Sequence, residues 1–269
     1  MKEHFRHIWF QRHLVWEFLR RDLQARYVGS AMGFFWSVIN PLILLLLYTF
    51  VFGILFRADY EFHGKRGGLA DFAFYIFCGL LPWYAFQESL IRSTTCIVDN
   101  AHLIKQVRFP AKVLPAYLTL SSIVNQLIGT GIFLLVLTFC GRVSVTWLGL
   151  PLILGIEVVF FLGLGLLFST LNTYVRDISP LVSIGTMILM WSTPMLYTLK
   201  MVEDGPRWLL PVLYANPLTY LVTIHHDLVF HGIWPPLDHW FWLGIISLIS
   251  LGLGYFIFTR CHQEFADLL

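Results

Sequence analysis

Charge is scarce in this chain. Only 13% of its 269 residues are Asp, Glu, Lys or Arg, about half the share of an ordinary soluble domain. Eighteen Lys and Arg face sixteen Asp and Glu, a net charge of +2. That balance excludes the basic stripe of a nucleic-acid binder. Cys78, Cys96, Cys140 and Cys261 form no CxxC pair and no zinc-ligand spacing, which argues against a disulfide framework and a metal knuckle. A Gly-x-x-x-x-Gly-Lys-Ser/Thr phosphate loop is missing too. Gly64-Lys65 has neither the preceding glycine nor the following hydroxyl residue, so the chain is not expected to hydrolyse nucleotide by itself. No internal repeat and no separable soluble domain is evident. Residues 1–33 carry six Lys and Arg and no small-residue cleavage site, unlike a signal peptide.

What is abundant is apolar: 57% of the residues are hydrophobic. A bilayer core of ~30 Å needs about 20 apolar helical residues. Runs at 35–56, 72–91, 113–140, 147–171 (apolar to 175), 178–199 and 240–259 meet that need. The expected fold is an all-α membrane protein of six transmembrane helices. Residues 1–33 form a cytoplasmic amphipathic interface helix, and 34–269 the transmembrane domain. In the first helix Val15, Leu19, Leu23 and Tyr27 recur every four residues, with Arg12, Glu17, Arg20, Arg21 and Gln24 on other sides, so it lies along the membrane surface. The run 208–221 is short and contains Pro211 and Pro217. Together with 222–234 it reads as a re-entrant or interfacial helical hairpin within an outer segment, 200–236, its backbone satisfied by protein or water. Six spans place both termini on one side. That side holds twelve of the eighteen Lys and Arg, which makes it cytoplasmic.

Ionisable groups inside spans mark ion or proton pathways, and here they are few. Glu88 lies near the end of the second run. Glu157 alone lies near the middle of one, with no Lys or Arg in its own span. The bland reading puts Glu157 in a polar groove or near the outer interface. His225, His226, Asp227 and His231 cluster on the hairpin, where an interfacial cap is favoured over a metal or catalytic site. Ser121 and Ser122 read as helix-packing residues. Aromatic residues reach 17%. Most suit membrane interfaces, but Tyr48, Phe52, Trp191 and Tyr197 lie inside the first and fifth runs. Such rings can stack on the C–H faces of sugars; a lipid-facing or core position is equally open for each.

Several segments, in order along nearly the whole chain, resemble one family. They are Arg26-Tyr27-Val28-Gly29-Ser30-Ala31-Met32-Gly33-Phe34-Phe35-Trp36 with Asn40-Pro41, Gly79-Leu80-Leu81-Pro82-Trp83, Asn100-Ala101-His102-Leu103-Ile104-Lys105-Gln106-Val107-Arg108-Phe109-Pro110, Leu171-Asn172-Thr173-Tyr174-Val175-Arg176-Asp177, Thr193-Pro194-Met195-Leu196-Tyr197 and Asn216-Pro217. Each is weak alone; six in register are specific. They resemble the polysaccharide-export permeases of ATP-binding-cassette transporters, the O-antigen (Wzm-type) and teichoic-acid exporters. Gln106 departs from the more basic loop common there.

The resemblance implies a bacterial inner-membrane permease with no enzymatic activity. It implies a homodimer served by two nucleotide-binding ATPase subunits, with no cofactor in this chain and ATP and Mg bound by the partner. The implied substrate is a glycan linked to undecaprenyl diphosphate; teichoic acid and capsule are alternatives. Tyr48, Phe52, Trp191 and Tyr197 would line the path. Arg20, Arg21 and Arg26 would meet the lipid diphosphate, or simply anionic membrane lipid. Asp99, Asn100, Leu103, Lys105, Val107 and Arg108, in the loop 93–111, would form a coupling helix capped by Asp99 or Asn100. An ordinary solvated loop is the alternative. Rival functions are a secondary transporter and a membrane-embedded glycosyl- or acyltransferase.

Overall fold

A computed structural model describes residues 2–26, 39, 42–43, 46–47, 49–55, 61–62, 65–66, 68–105 and 109–269. The side chains of residues 2–11, 52–53, 55, 61–62 and 65–66 lie outside that description. Much of the expected first span therefore falls outside the described residues, which hold a π-helical stretch, Thr49–Leu55, and a few isolated positions of it.

The described chain is almost wholly helical. Helix α1 is Lys2–Ala25. A two-residue antiparallel pair follows, β1 (Glu61–Phe62) and β2 (Lys65–Arg66), in the register Glu61 to Arg66. Then come α2 (Leu69–Asp99), α3 (Ala101–Ile104), α4 (Val113–Phe139), α5 (Leu150–Tyr174) and α6 (Ile178–Trp191). Short helices α7 (Leu199–Glu203), α8 (Leu210–Ala215) and α9 (Pro217–His225) lead to a π-turn, His226–His231. Helix α10 (Leu237–Cys261) and the terminal turn α11 (Phe265–Leu268) complete it. Among the described residues four helical segments are long and apolar enough to cross a membrane: Leu69–Asp99, Val113–Phe139, Val145–Tyr174 and Leu237–Cys261.

Helix α2 is the hub. Trp83, Ile76, Leu80 and Ile97 on it are fully buried. Its 31 residues extend about 46 Å at 1.5 Å per residue, about 16 Å more than a bilayer core. That surplus is enough for one end of the helix to continue past an apolar layer. The tightest helix pair is α5 with α10. A Cβ on Gly163 would lie 2.4 Å from the Leu251 nitrogen, and one on Gly254 would lie 2.1 Å from the Gly163 oxygen. Without a hydrophobic effect between helices in lipid, small residues that admit backbone contact supply the attraction.

The fifth apolar run behaves differently from expectation. The helix expected over 178–199 ends at Trp191. Pro194 disfavours helical backbone at Thr193, and the chain turns back into the protein. Thr193, Pro194, Met195 and Leu196 are buried. Their polar groups find protein partners. Thr193 Oγ1 donates to Leu189 O at 2.7 Å, and Asn216 Nδ2 donates to Thr193 Oγ1 at 3.0 Å and to Ser192 O at 3.4 Å.

Candidate functional site

At the Asp99 end, α1 is fastened to the bundle by charge. Arg92 and Glu88 sit one turn apart on α2, and the Arg92 guanidinium forms an ion pair with Asp22 of α1. Arg26 pairs with both Asp22 and Glu88. Ser121 Oγ on α4 donates to Asp22 Oδ2 at 2.5 Å and accepts from Arg26 Nη2 at 2.9 Å. Burial pushes the Asp22 carboxyl upward, but hydrogen bonds from Arg92 and Ser121 and the charges of Arg92 and Arg26 outweigh it, so the group titrates below its ordinary value. Ser121 is thus a polar partner of this cluster rather than simply a packing residue. Apolar contacts reinforce the dock: Phe18 lies 5.3 Å from Tyr117 and 6.0 Å from Phe109, ring centre to ring centre.

Among the described residues, the expected coupling segment holds a single helical turn. Helix α2 runs on through Asp99, and α3 covers Ala101–Ile104. Neither expected cap forms through its side chain. Asn100 occupies the N-cap position, but its Nδ2 donates back to Cys96 O at 2.8 Å; the backbone carbonyl of Asn100 instead receives the Leu103 and Ile104 amides. Ile104 and Phe109 pack against the buried cluster of Cys96, Ile97, Leu114 and Phe265. Leu103 is half-buried, while Asp99 and Lys105 are exposed. Val107 and Arg108 lie outside the described residues. A force on α3 would reach α2, α4 and the C-terminal turn directly.

At the opposite end two stretches distant in sequence converge on one turn of α2. The Tyr75 hydroxyl reaches Pro194 O (3.1 Å) and Tyr197 O (3.2 Å). The His226 ring stacks on Tyr75 with centroids 3.9 Å apart, and its Nε2 hydrogen-bonds Tyr75 O at 3.0 Å. A Cβ on Gly79 would meet His226 Nε2 and Met195 Cβ, each at 2.9 Å. Beside this junction opens a cavity of about 620 Å³, lined by Tyr75, Pro194, Lys200, Asp204, His226 and Asp227 among others.

Two expected path residues are described. Trp191 caps the end of α6 with 58% of its surface exposed. The half-buried Tyr197 donates its hydroxyl to Trp191 O at 3.3 Å. Tyr48, and the side chain of Phe52, lie outside the described residues. Leu181, Ile184, Ile188 and Trp191 form an exposed apolar stripe along α6. At 14 residues this helix is about 21 Å long, shorter than a bilayer core. Of the expected headgroup arginines, Arg20 and Arg21 are exposed, whereas Arg26 is engaged in the Asp22–Glu88 cluster.

A family model described as "ABC-2 type transporter" matches residues 13–230. This chain belongs to that family. Among similar proteins, the O-antigen export system permease protein RfbA of Klebsiella pneumoniae is 30% identical over 253 residues, 93% of this chain and 92% of the relative. The same-named protein of Myxococcus xanthus is 29% identical over 264 residues, 97% of each. The polysialic acid transport protein KpsM of Escherichia coli is 20% identical over 251 residues, 91% of each. Membership makes the chain a transporter permease rather than an enzyme.

In this ABC-2 permease three of the six motif fragments prove to be neighbours. Gly79 of the Gly79–Trp83 segment, Met195 of the Thr193–Tyr197 segment and Asn216 are brought to one junction. Sequence reasoning missed Tyr75, Asp22 and Arg92. Arg92 one turn beyond Glu88 was a readable signal. The histidines do not form an exposed cap: His225 and His226 are buried within the protein. Nor does Glu157 face a groove; it is fully buried against His225.

Proposed function

We propose that this chain is the membrane subunit of an ATP-driven exporter, carrying a polysaccharide linked to undecaprenyl diphosphate across the inner membrane. The observation that carries this reading is the exposed apolar stripe of the short helix α6, ending at Trp191 beside a buried, hydrogen-bonded turn. Such a face, on a helix too short to span alone, fits the wall of a path shared by two copies. The chain's likeness to O-antigen permeases supplies the substrate class. Capsular or teichoic polymers fit the same architecture.

In this reading the first apolar run and α6 join the four long helices as six spans, both termini are cytoplasmic, and two copies form the conduit. Two ATPase subunits bind ATP and Mg. Their motion enters through α3 and the residues after it, with Leu103 and Val107 as the docking face, and reaches the bundle through α2. Helix α1 lies along the membrane surface, where Arg20 and Arg21 meet lipid phosphate. The turn 192–198 and the segment Trp208–Trp234 gate the outer mouth. Tyr48, Phe52, Trp191 and Tyr197 offer weak ring contacts, about 0.5–1.5 kcal/mol each beyond burial. Contacts of that size let a polymer slide instead of holding it.

The test is a deletion strain complemented with wild-type protein or with Leu103→Asp, Val107→Asp. Surface glycan, cytoplasmic lipid-linked glycan and co-purification of a nucleotide-binding subunit are scored together. The double variant should lose the ATPase subunit and accumulate lipid-linked polymer inside. Transport by the lone chain on an ion gradient would reject the proposal in favour of a secondary transporter. Loss of glycan synthesis instead of export would favour a transferase.

A further inference from the structure

Glu157 and His225 form an arrangement that the transport reading does not use. Glu157 stands in the third turn of α5 and is 0% exposed. Its Oε1 lies 3.5 Å from His225 Nε2 at the end of α9, and neither carboxyl oxygen has a closer hydrogen-bond partner. His225 is 2% exposed, and its Nδ1 lies 3.0 Å from Leu221 O. A ring nitrogen facing a carbonyl oxygen must carry the hydrogen. In the neutral ring Nε2 is therefore an acceptor, and it faces both the Gln126 amide nitrogen, at 3.4 Å, and a carboxyl oxygen. The two acceptors would repel, and a carboxylate with no countercharge at zero exposure is costly.

One proton resolves both problems. Either Glu157 is protonated and donates to Nε2, or Nε2 is protonated and faces the carboxylate; each form is neutral overall. The ionisable groups on the elements packed around the pair are few. Helix α4 brings the amide of Gln126, whose Nε2 is 3.4 Å from His225 Nε2. From α2 come Tyr75 and the Cys78 thiol, which touches His225 O at 3.4 Å; Asp71 at its start pairs with Arg142. The π-turn adds His226, Asp227 and His231. Helix α6 has no ionisable residue, and the buried face of α10 carries Leu243, Ser247 and Ser250.

We infer that Glu157 and His225 are a single-proton binding site that clamps the outer hairpin onto α5. Only the geometry of this chain carries that assignment, independent of the cargo. Losing the proton leaves a buried negative charge; gaining a second leaves a buried positive one. The hairpin unseats in either direction, and only with one proton is it held.

Cys78 reports the clamp, because it lies directly beneath His225. In a Cys140→Ser, Cys261→Ser background, maleimide labelling of Cys78 in the detergent-extracted protein is followed across pH by peptide mass spectrometry. Rates are divided by those of the same protein carrying Glu157→Gln, which cancels the ordinary pH dependence of the thiol. The amide that Glu157→Gln introduces keeps a donor toward His225 and has no charge to gain. The ratio should rise at alkaline pH, by about tenfold per unit once a proton is lost on opening. His225→Gln should keep that alkaline rise; the acid-side rise, read from the undivided rates because Glu157→Gln retains His225, should be lost in His225→Gln. Cys96, equally buried but in the other cluster, should stay unlabelled. A flat ratio, or Cys96 labelling in step with Cys78, would overturn the site.

Discussion

Gly79 tests whether the junction of α2 with His226 and the Met195 turn is packed as described. An alanine there places a methyl group 2.9 Å from both His226 Nε2 and Met195 Cβ. Ordinary carbon contacts need about 3.5–4.0 Å, so the hairpin or the Met195 turn must retreat by roughly 0.6–1 Å. Helix α2 cannot yield, being buried on nearly every side. Overpacking of this kind costs about 1–3 kcal/mol. If the His226 ring is the part that moves, its bond to Tyr75 O is strained, adding about 0.5–1.5 kcal/mol. Alanine gains about 1 kcal/mol of helix propensity over glycine, which must be subtracted. Gly155 on α5 supplies that correction, because nothing lies within 4 Å of a Cβ placed on it. The difference between Gly79→Ala and Gly155→Ala isolates the steric term and should fall near 1–4 kcal/mol against Gly79→Ala. Thermal unfolding of the purified protein in one detergent measures it, with surface glycan scored in parallel. Equal stability of the two variants would show that the hairpin, Met195 and α2 do not meet at this point.

Gly163→Ala should also destabilise relative to Gly155→Ala, by about 1–3 kcal/mol, since its methyl group would strike the α10 backbone at Leu251; the same melting series checks it. Asn216→Ala removes both the cap on α9, where Oδ1 accepts from Leu218 N at 3.0 Å, and the donor to Thr193. It should cost about 1 kcal/mol for the cap and about 1–3 more for the orphaned turn, whereas Asn216→Asp should restore only the first part in the same assay. The Asp22 carboxyl is held below its ordinary value. Its contribution to stability is therefore fully present above the ordinary carboxylate range and is lost as pH falls through the depressed value. Asp22→Asn should lower stability by about 1.5–3 kcal/mol at neutral pH and flatten the acid limb of a melting-temperature profile; an unchanged acid limb would place the titration elsewhere.

The sequence by itself determined the solvent and the class. Long apolar runs and sparse charge require a membrane, because a helical backbone satisfies itself in lipid and a charged one does not belong there. Runs at 113–140 and 240–259 became α4 and α10 within three residues at each end. The six ordered segments, from Arg26 to Asn216-Pro217, pointed to the permease family. Tertiary structure alone decided the pairings. His225 finds Glu157, Arg92 finds Asp22, and Tyr75 finds the turn at Pro194, across separations of 68, 70 and 119 residues. Hydropathy is a one-dimensional property and reports only how each segment meets lipid. Which polar side chains must share a desolvated space depends on how the helices are laid against one another, and that cost is settled only when the whole bundle closes.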